Sequence, residues 1–164
     1  MPDLLAHALF AYALGLLLSW RYAWLSPAYV TVVMAGAFVP DLSKAELLVP
    51  STAVEAALGV PFDWFALHTA GGVFVAIALG ATVVARAERG RVAALLSVGA
   101  VSHLLADGLL LKPSGRSYAI GWPVSQYHPP TPGLYLSTQP DPAVAAAAFA
   151  AAVWLATRYR RGSE

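Results

Sequence analysis

Long apolar stretches separated by short polar segments run along the whole chain. Two of them, Trp64 to Ala85 and Val92 to Leu111, are at least twenty residues long, which at about 1.5 Å per residue matches a hydrocarbon core about 30 Å thick. The pattern therefore predicts an all-α integral membrane protein, a bundle of helices that cross the bilayer. About five transmembrane helices are predicted, near residues 4–20, 22–39, 64–85, 92–111 and 142–159.

The segments between these stretches predict where the chain leaves the membrane. Pro27, in the second stretch, either kinks that helix or starts its regular part. Residues 40–63 and 112–141 are predicted to form two long external loops; the second holds half of the prolines and several aromatic residues, which indicates an irregular lid over the outer end of the bundle. Nothing in the pattern divides the chain, so residues 1–164 are expected to form a single membrane-embedded domain.

Composition agrees with the membrane prediction. Apolar residues make up 59% of the chain and charged residues 12%, and the mean hydropathy is +0.64, which is well above that of an ordinary soluble domain. We therefore expect membrane lipids as partners. A net charge of +1 without a nucleic-acid motif gives no reason to expect nucleic acid. A chain without cysteine has neither disulfides nor thiolate metal ligands, and the sequence leaves the oligomeric state open.

The distribution of basic residues predicts the orientation. If the tight turn around Arg86, Arg89 and Arg91 faces the cytoplasm, alternation of the spans places Arg21 and the C-terminal arginines on the same side. Seven of the ten basic residues are then inside, as the positive-inside rule expects. The predicted topology is that of a multi-pass cell-membrane protein with its N-terminus outside, its C-terminus inside and both long loops at the outer face.

Two ionisable residues interrupt the fourth apolar stretch. His103 and Asp107 are four residues apart, a spacing that stacks both side chains on one face of a helix. An ionisable group at mid-bilayer costs about 2.5–3.5 kcal/mol, which makes a function the first hypothesis for such residues. The alternative, a His–Asp hydrogen bond that ties two helices together, is equally consistent with this pair alone.

Other polar residues are predicted to reach the same level of the membrane. His7 lies about one turn inside the outer end of the first span, and Asp41 follows the outer end of the second. Asp63 and His68 bracket the outer start of the third span, and the His–Asp pair lies in the outer half of the fourth. Taken singly, each has a plain explanation, such as helix capping by Asp41 or Asp63. Their convergence from four spans favours a site facing the outer side.

Imidazole and carboxylate are donors that zinc and manganese bind in proteins. We therefore predict a divalent metal as cofactor, with zinc as the first expectation, manganese as the alternative and room for a second ion. A catalytic site would leave a position for water, whose pKa a bound zinc lowers to about 7. Asp63 would then be a further ligand or a base. The predicted metal ligands are His7, Asp41, His68, His103 and Asp107.

The second external loop adds three candidate residues. Lys112 and Arg116 closely follow the fourth span and are predicted to bind substrate through a phosphate headgroup, although anchoring the helix end at the interface is the more common role. His128 is either a plain loop residue or a proton carrier. The predicted catalytic residues are thus Asp63 and His128.

Four short motifs follow one another along the chain. They are Ala6-His7-Ala8-Leu9-Phe10, Val39-Pro40-Asp41-Leu42, His68-Thr69 and Ser102-His103-Leu104-Leu105-Ala106-Asp107. In this order they resemble the membrane-bound metal-dependent hydrolases, a family that includes the LexA-regulated inner-membrane proteins of bacteria. The resemblance extends roughly from His7 through Pro123 and is strongest in the last motif. It implies a hydrolytic activity at a metal site.

The chain departs from that family pattern in two motifs. Ser43 stands where the family commonly has a second aspartate. When the family's His-Arg-Gly-x-Thr-His-Ser motif is aligned on His68, Asp63 takes the place of its first histidine and Trp64 that of its arginine. A carboxylate can replace an imidazole ligand, but no residue here replaces the arginine. Weaker activity, different activity and a member without catalysis are therefore all open alternatives.

The sequence predicts a membrane-embedded metal-dependent hydrolase that acts on a lipid or amphiphile phosphoester near the outer leaflet. The leading alternative is a non-enzymatic membrane protein in which the same residues hold a structural metal or form an ion or proton path. A third is a scaffold without metal. In a scaffold, His103 would bond to Asp107 or to a neighbouring helix, and the other polar groups would lie apart.

Overall fold

The protein is all-helical over residues 2–162, the part of the chain that the computed structural model describes, and its only strand-like pairings there are two isolated β-bridges. This confirms the predicted all-α class. In chain order the elements are α1 (Pro2–Arg21), α2 (Pro27–Ala37), a 3-10 helix (Pro40–Leu47), α3 (Ser51–Leu58), a second 3-10 helix (Trp64–His68), α4 (Ala70–Thr82), α5 (Arg89–Asp107) and α6 (Asp141–Gly162).

Proline sets the start of α2. Ser26 is extended (φ −73°, ψ 169°) and Pro27 occupies the first turn, where its missing N–H would have no partner within the helix anyway. The second predicted span, residues 22–39, is therefore an 11-residue helix that begins at Pro27. Of the two roles considered for this proline, starting the regular part of the helix is the correct one.

Thr69 divides the third predicted span, residues 64–85. Its backbone is extended (φ −127°, ψ 163°), and its hydroxyl accepts a hydrogen bond from the Gly72 N–H at 3.3 Å, so it caps α4. A Cβ on Gly72 would lie 2.0 Å from the Ala66 carbonyl oxygen, so the chain can fold back here only with glycine. This break leaves His68 buried at the end of the preceding 3-10 helix.

Helix α5 lies between its neighbours and contacts α1, α2 and α4, while α1 also packs against α2 and α6. A Cβ on Gly99 would lie 2.0 Å from the Val33 carbonyl oxygen, and one on Gly36 would lie 2.2 Å from that of Leu96. Glycines thus let the backbones of α2 and α5 approach closely, as in membrane helix pairs. The main buried apolar cluster consists of Ala11, Ala13, Leu16, Leu25, Val30, Val33, Ala37, Leu95, Ala150 and Val153.

Two helices are long and apolar enough to cross a membrane, α1 over Leu4–Arg21 and α6 over Asp141–Gly162. With 11 and 13 residues, α2 and α4 are roughly 16 and 20 Å long, shorter than a hydrocarbon core of about 30 Å. Helix α5 has 19 residues, but charged residues at both ends lower its hydropathy. The described residues therefore contain two candidate spans instead of about five, which corrects the predicted number. The topology stays a prediction.

The loop of residues 112–141 lies across the ends of two helices. The carbonyls of Ile120 and Trp122 accept hydrogen bonds from the first N–H groups of α4, at 2.7 and 2.8 Å. The hydroxyl of Tyr135 donates to the Ala106 carbonyl near the end of α5 at 2.7 Å. The loop therefore covers the end of the bundle at which α4 begins and α5 ends, where the sequence predicts a lid.

Candidate metal centre

The five predicted metal ligands meet at this end of the bundle. They come from four elements: His7 from α1, Asp41 from the first 3-10 helix, His68 from the second, and His103 and Asp107 from successive turns of α5. The histidines and Asp107 are buried, with His103 only 1% exposed, and Asp41 is half-buried. The structure thus brings the residues together as the sequence predicts, while their role as ligands stays a prediction. We call these five residues the His–Asp cluster.

Asp107 lies at the centre of the His–Asp cluster. Its Oδ1 atom is 3.2 Å from His7 Nε2, and its Oδ2 atom is 2.8 Å from His68 Nε2 and 3.6 Å from His103 Nε2. One buried carboxylate therefore faces the same ring nitrogen of three histidines. The i, i+4 spacing on α5 supplies only one of these contacts; the other two depend on where α1 and the second 3-10 helix pack.

The two ring nitrogens of His68 face acceptors on opposite sides. Nδ1 is 3.2 Å from the carbonyl oxygen of Pro40, which can only accept, so a hydrogen bond between them requires a proton on Nδ1. A neutral His68 then has a lone pair at Nε2, directed at the Asp107 carboxylate 2.8 Å away. Two lone pairs at that distance repel each other unless a proton or a metal ion lies between them. A backbone carbonyl on the outer ring nitrogen is also how metal-ligating histidines are commonly oriented.

His103 has unsatisfied hydrogen-bonding capacity. Both of its ring nitrogens and Asp107 Oδ1 are buried without a hydrogen bond. The ring of His103 stacks on that of His7, with 3.8 Å between centroids and 24° between planes. Leaving a buried polar atom unpaired costs roughly 1–3 kcal/mol. Several such atoms at one point indicate a site for a cation that uses them together.

The donor geometry fits a divalent metal. Two overlapping groups, His7–His103–Asp107 and Asp41–His68–His103, each offer three ligand atoms that lie within 4.8 Å of one another. The nitrogen–oxygen separations within the cluster, from 2.8 to 3.9 Å, bracket the edge of about 3.4 Å expected for a tetrahedron with bonds of about 2.1 Å. This group of histidines and aspartates can therefore hold a metal ion, as predicted.

Asp41 occupies the edge of the cluster and has a second partner. Its Oδ1 atom is 3.9 Å from His103 Nε2 and 2.7 Å from Lys44 Nζ. Lys44 is not among the site residues predicted from the sequence. Its position three residues after Asp41 on a helical segment was the signal that could have identified it. The Lys44 ammonium group therefore lies at the rim of the cluster.

Lys112 approaches the cluster from the loop. Its Nζ atom lies 3.2 Å from the centre of the Tyr118 ring, and that ring is 5.6 Å from the ring of His68. Burial lowers the pKa of the Lys112 ammonium below its ordinary value, and the nearby Asp107 carboxylate opposes part of this effect. Lys112 is thus near enough to Asp107 to interact with it electrostatically. Its substrate-binding role remains a prediction.

The other three predicted site residues lie outside the His–Asp cluster. The Asp63 carboxylate caps the second 3-10 helix, where it accepts the Phe65 N–H at 2.7 Å. Arg116 and His128 are both exposed. The Arg116 guanidinium donates to the backbone carbonyl of His128 at 3.2 Å, and the His128 Nδ1 atom is 2.9 Å from the backbone carbonyl oxygen of Ser117. Asp63 and His128 line a separate cavity of about 380 Å³. Sequence spacing does not fix how a loop folds, so it could not place these residues.

Comparisons with protein-family models, curated proteins and solved structures found no match to this chain. The resemblance to membrane-bound metal-dependent hydrolases therefore stays a prediction from the four motifs.

Proposed function

We propose that this protein is a membrane-embedded metal-dependent hydrolase that acts on a lipid or amphiphile phosphoester. The observation that carries the proposal is the contact between His68 Nε2 and Asp107 Oδ2 at 2.8 Å, together with the Pro40 carbonyl at the opposite ring nitrogen. With the proton on Nδ1, that arrangement requires a second proton or a metal ion between Nε2 and the carboxylate. Five donor groups at one buried point support a metal ion as that cation.

Zinc is the metal that this donor set favours, and manganese is the alternative. The site has imidazole and carboxylate donors and no thiolate, a combination that is common in catalytic zinc sites. When bound, such an ion supplies Lewis acidity and a nucleophile derived from water at neutral pH. Asp107 and the three histidines would hold the ion, and Asp41 would complete or extend the set.

The surrounding cations support an anionic substrate. The ammonium groups of Lys44 and Lys112 approach the cluster from the first 3-10 helix and from the loop, respectively. Phosphate esters carry negative charge that lysine can bind as a point charge. These two residues would hold and orient the substrate's phosphoryl group, which is the role that the sequence assigns to Lys112.

The membrane assignment rests on apolar surface as well as on α1 and α6. Large side chains on the helices are exposed, including Phe74 at 71%, Leu79 at 64% and Leu105 at 67%. Their exposure suits a hydrocarbon environment better than water. The proposal therefore places α2, α4 and α5 beside α1 and α6 in the bilayer, with the N-terminus and the cluster toward the outer side. Helices α2 and α4, which are shorter than the hydrocarbon core, would cross only part of it.

A structural metal site or an ion path is the competing function. The near-complete burial of His103 favours it, because a structural ion needs no access for water. A metal-free scaffold is less well supported. In that case His103 would bond to Asp107 and the other groups would lie apart, whereas His103 Nε2 is 3.6 Å from Asp107 and all five side chains meet.

The first test is the metal content of detergent-purified protein, measured by mass spectrometry after purification with zinc and manganese present. We expect one or two equivalents in the wild type and a loss of most of the metal in Asp107→Asn, which keeps the size of the side chain. Asp63→Asn is the matched control, because Asp63 lies outside the cluster, and it should keep its metal.

The second arm measures hydrolysis. Metal-loaded protein should release phosphate or alcohol from phosphate mono- or diesters, including phosphatidic acid in mixed micelles, and Asp107→Asn should not. Bound metal without hydrolysis of any of these esters would favour the structural or ion-path function. Absence of metal under replete conditions would remove the basis of the hydrolase proposal.

A further inference from the structure

A large apolar groove lies between α1, α5 and α6, next to the His–Asp cluster. Its volume is about 910 Å³, near the upper end of the range of about 300–1,000 Å³ that is typical of small-molecule sites. The walls include Phe10 and Leu14 of α1, Val101 and Leu105 of α5, and Ala146 and Phe149 of α6.

Three of the four polar side chains in the described lining donate hydrogen bonds to backbone carbonyls. The hydroxyls of Ser97, Ser102 and Tyr135 each donate to a backbone carbonyl, at 2.8, 2.7 and 2.7 Å. Among the lining residues that the structure describes, His7 is the remaining polar side chain. The groove therefore suits a molecule that is apolar along its length and polar only at the end near His7.

His7 joins the groove to the cluster. Its ring lines the groove, its Nε2 atom is 3.2 Å from Asp107 Oδ1, and it stacks on His103. From this end the groove follows α5 away from the cluster. The lining residues Ala106 and Ser97 are nine positions apart on that helix, which corresponds to about 14 Å.

The sides of the groove indicate where its occupant comes from. Two of its three walls are α1 and α6, the helices that are long and apolar enough to cross a membrane. Val101 and Leu105, which line it from α5, are 51% and 67% exposed. A groove between such helices opens sideways toward hydrocarbon, so the molecules that reach it are those dissolved in the bilayer.

We infer that this groove binds an acyl chain of a membrane phospholipid and thereby presents the lipid's phosphoester to the His–Asp cluster. The inference rests on the proposed function and specifies its substrate: a bilayer lipid that enters laterally, with its headgroup at His7 and its chain toward Leu14 and Phe149. Burying each methylene contributes about 0.8 kcal/mol, so chain length contributes to binding and the cluster needs to recognise only the phosphate.

Photocrosslinking in a bilayer tests this arrangement. The probe is phosphatidic acid with a diazirine either near the acyl carbonyl or near the chain terminus, in phosphatidylcholine vesicles that contain the full-length protein and a metal chelator to prevent turnover. Peptide mapping should locate the carbonyl-proximal label around His7 and Ala106 and the terminal label around Leu14 and Phe149. The reverse order, or equal labelling around the whole outer surface of α6, would overturn the inference.

A matched pair of variants separates groove binding from general lipid contact. Ala145 and Ala147 are both exposed on α6, but only Ala145 lines the groove. Ala145→Trp fills part of the groove and should reduce labelling of its walls at least about fivefold, because several methylenes lose their contacts. Ala147→Trp should leave labelling unchanged. Equal labelling in both variants would show that the chain does not occupy the groove.

The outcome can be read separately from that of the metal experiment, because labelling requires no metal. Labelled groove walls in a protein that binds no metal would retain the groove as a lipid-chain site and remove the hydrolase. A metal-loaded protein that hydrolyses soluble phosphoesters but shows no groove labelling would overturn the inference and leave the proposed function standing.

Discussion

His103 is the most buried of the candidate ligands, and both of its ring nitrogens lack a hydrogen bond. Burying an unsatisfied polar group costs roughly 1–3 kcal/mol, and replacing His103 with an apolar residue of similar size removes that cost. We therefore expect His103→Leu, measured with a chelator present, to raise the free energy of unfolding by about that amount. Thermal unfolding in detergent would show this as a Tm increase of about 2–4 °C per kcal/mol for a chain of this size.

Zinc should reverse the order of stability and make the wild type more stable than His103→Leu. At free zinc about 1,000 times above Kd, the wild type gains about 4.1 kcal/mol, which exceeds the expected advantage of His103→Leu, whereas His103→Leu should show little zinc-dependent change in Tm. His128→Leu is the control, since His128 bonds to the Ser117 carbonyl outside the cluster, and it should keep the zinc response. A His103→Leu variant that is less stable than wild type with chelator and equally responsive to zinc would contradict the site.

At the scale of single residues, the sequence indicated the cluster because placing ionisable side chains in apolar segments costs free energy. A histidine and an aspartate one turn apart in an apolar helix are detectable by spacing alone. The Pro40 carbonyl at His68 and the ammonium of Lys44 at Asp41 were not predicted. These contacts depend on how the first 3-10 helix packs. Every residue has a backbone carbonyl, so the amino-acid sequence does not show which carbonyl will face His68.

At the scale of elements, the close approach of α2 and α5 predicts that a larger residue at their contact will destabilise the fold. A Cβ on Gly99 would lie 2.0 Å from the Val33 carbonyl oxygen, so Gly99→Ala must push the two helices apart. Overpacking of this kind typically costs about 1–3 kcal/mol, and we expect Gly99→Ala to lower the free energy of unfolding by that amount. The measurement is thermal or denaturant unfolding of the detergent-solubilised protein.

Gly90 provides the matched control on the same helix. Nothing lies within 4 Å of a Cβ placed there, so Gly90→Ala should leave stability unchanged or raise it by about 0.5–1 kcal/mol through helix propensity. Because α5 carries His103 and Asp107, Gly99→Ala should also weaken zinc binding. Equal stability of the two alanine variants would show that α2 and α5 do not cross at these glycines.

Hydropathy predicted where the helices lie better than where they end. The third apolar stretch contains no proline or glycine between Trp64 and Thr69, yet it folds as a 3-10 helix followed by α4. The break comes from the extended backbone at Thr69 and its cap on Gly72. A threonine within an apolar run is equally compatible with a continuous helix, so apolar periodicity could not reveal a division that places His68 in the cluster.

At the scale of the whole molecule, lipid exposure and chemistry are linked through α1 and α6. These two apolar helices form walls of the groove, and α1 also carries His7. The membrane would therefore supply both the environment of the fold and the proposed substrate. This link requires the cluster end of the bundle and the turn between α4 and α5 to lie on opposite sides of the bilayer.

Single cysteines can test that requirement, because the chain has no cysteine of its own. Ser137 in the loop of residues 112–141 and Ala87 in the turn before α5 are both exposed. In intact cells, a membrane-impermeant maleimide should label Ser137→Cys, and it should label Ala87→Cys only after permeabilisation. The wild-type chain should stay unlabelled. The positive-inside rule gives this direction, since Arg86, Arg89 and Arg91 flank the turn. The opposite pattern would invert the topology and place the cluster at the inner leaflet, whereas labelling of both variants in intact cells would mean that no membrane separates the two ends of α5.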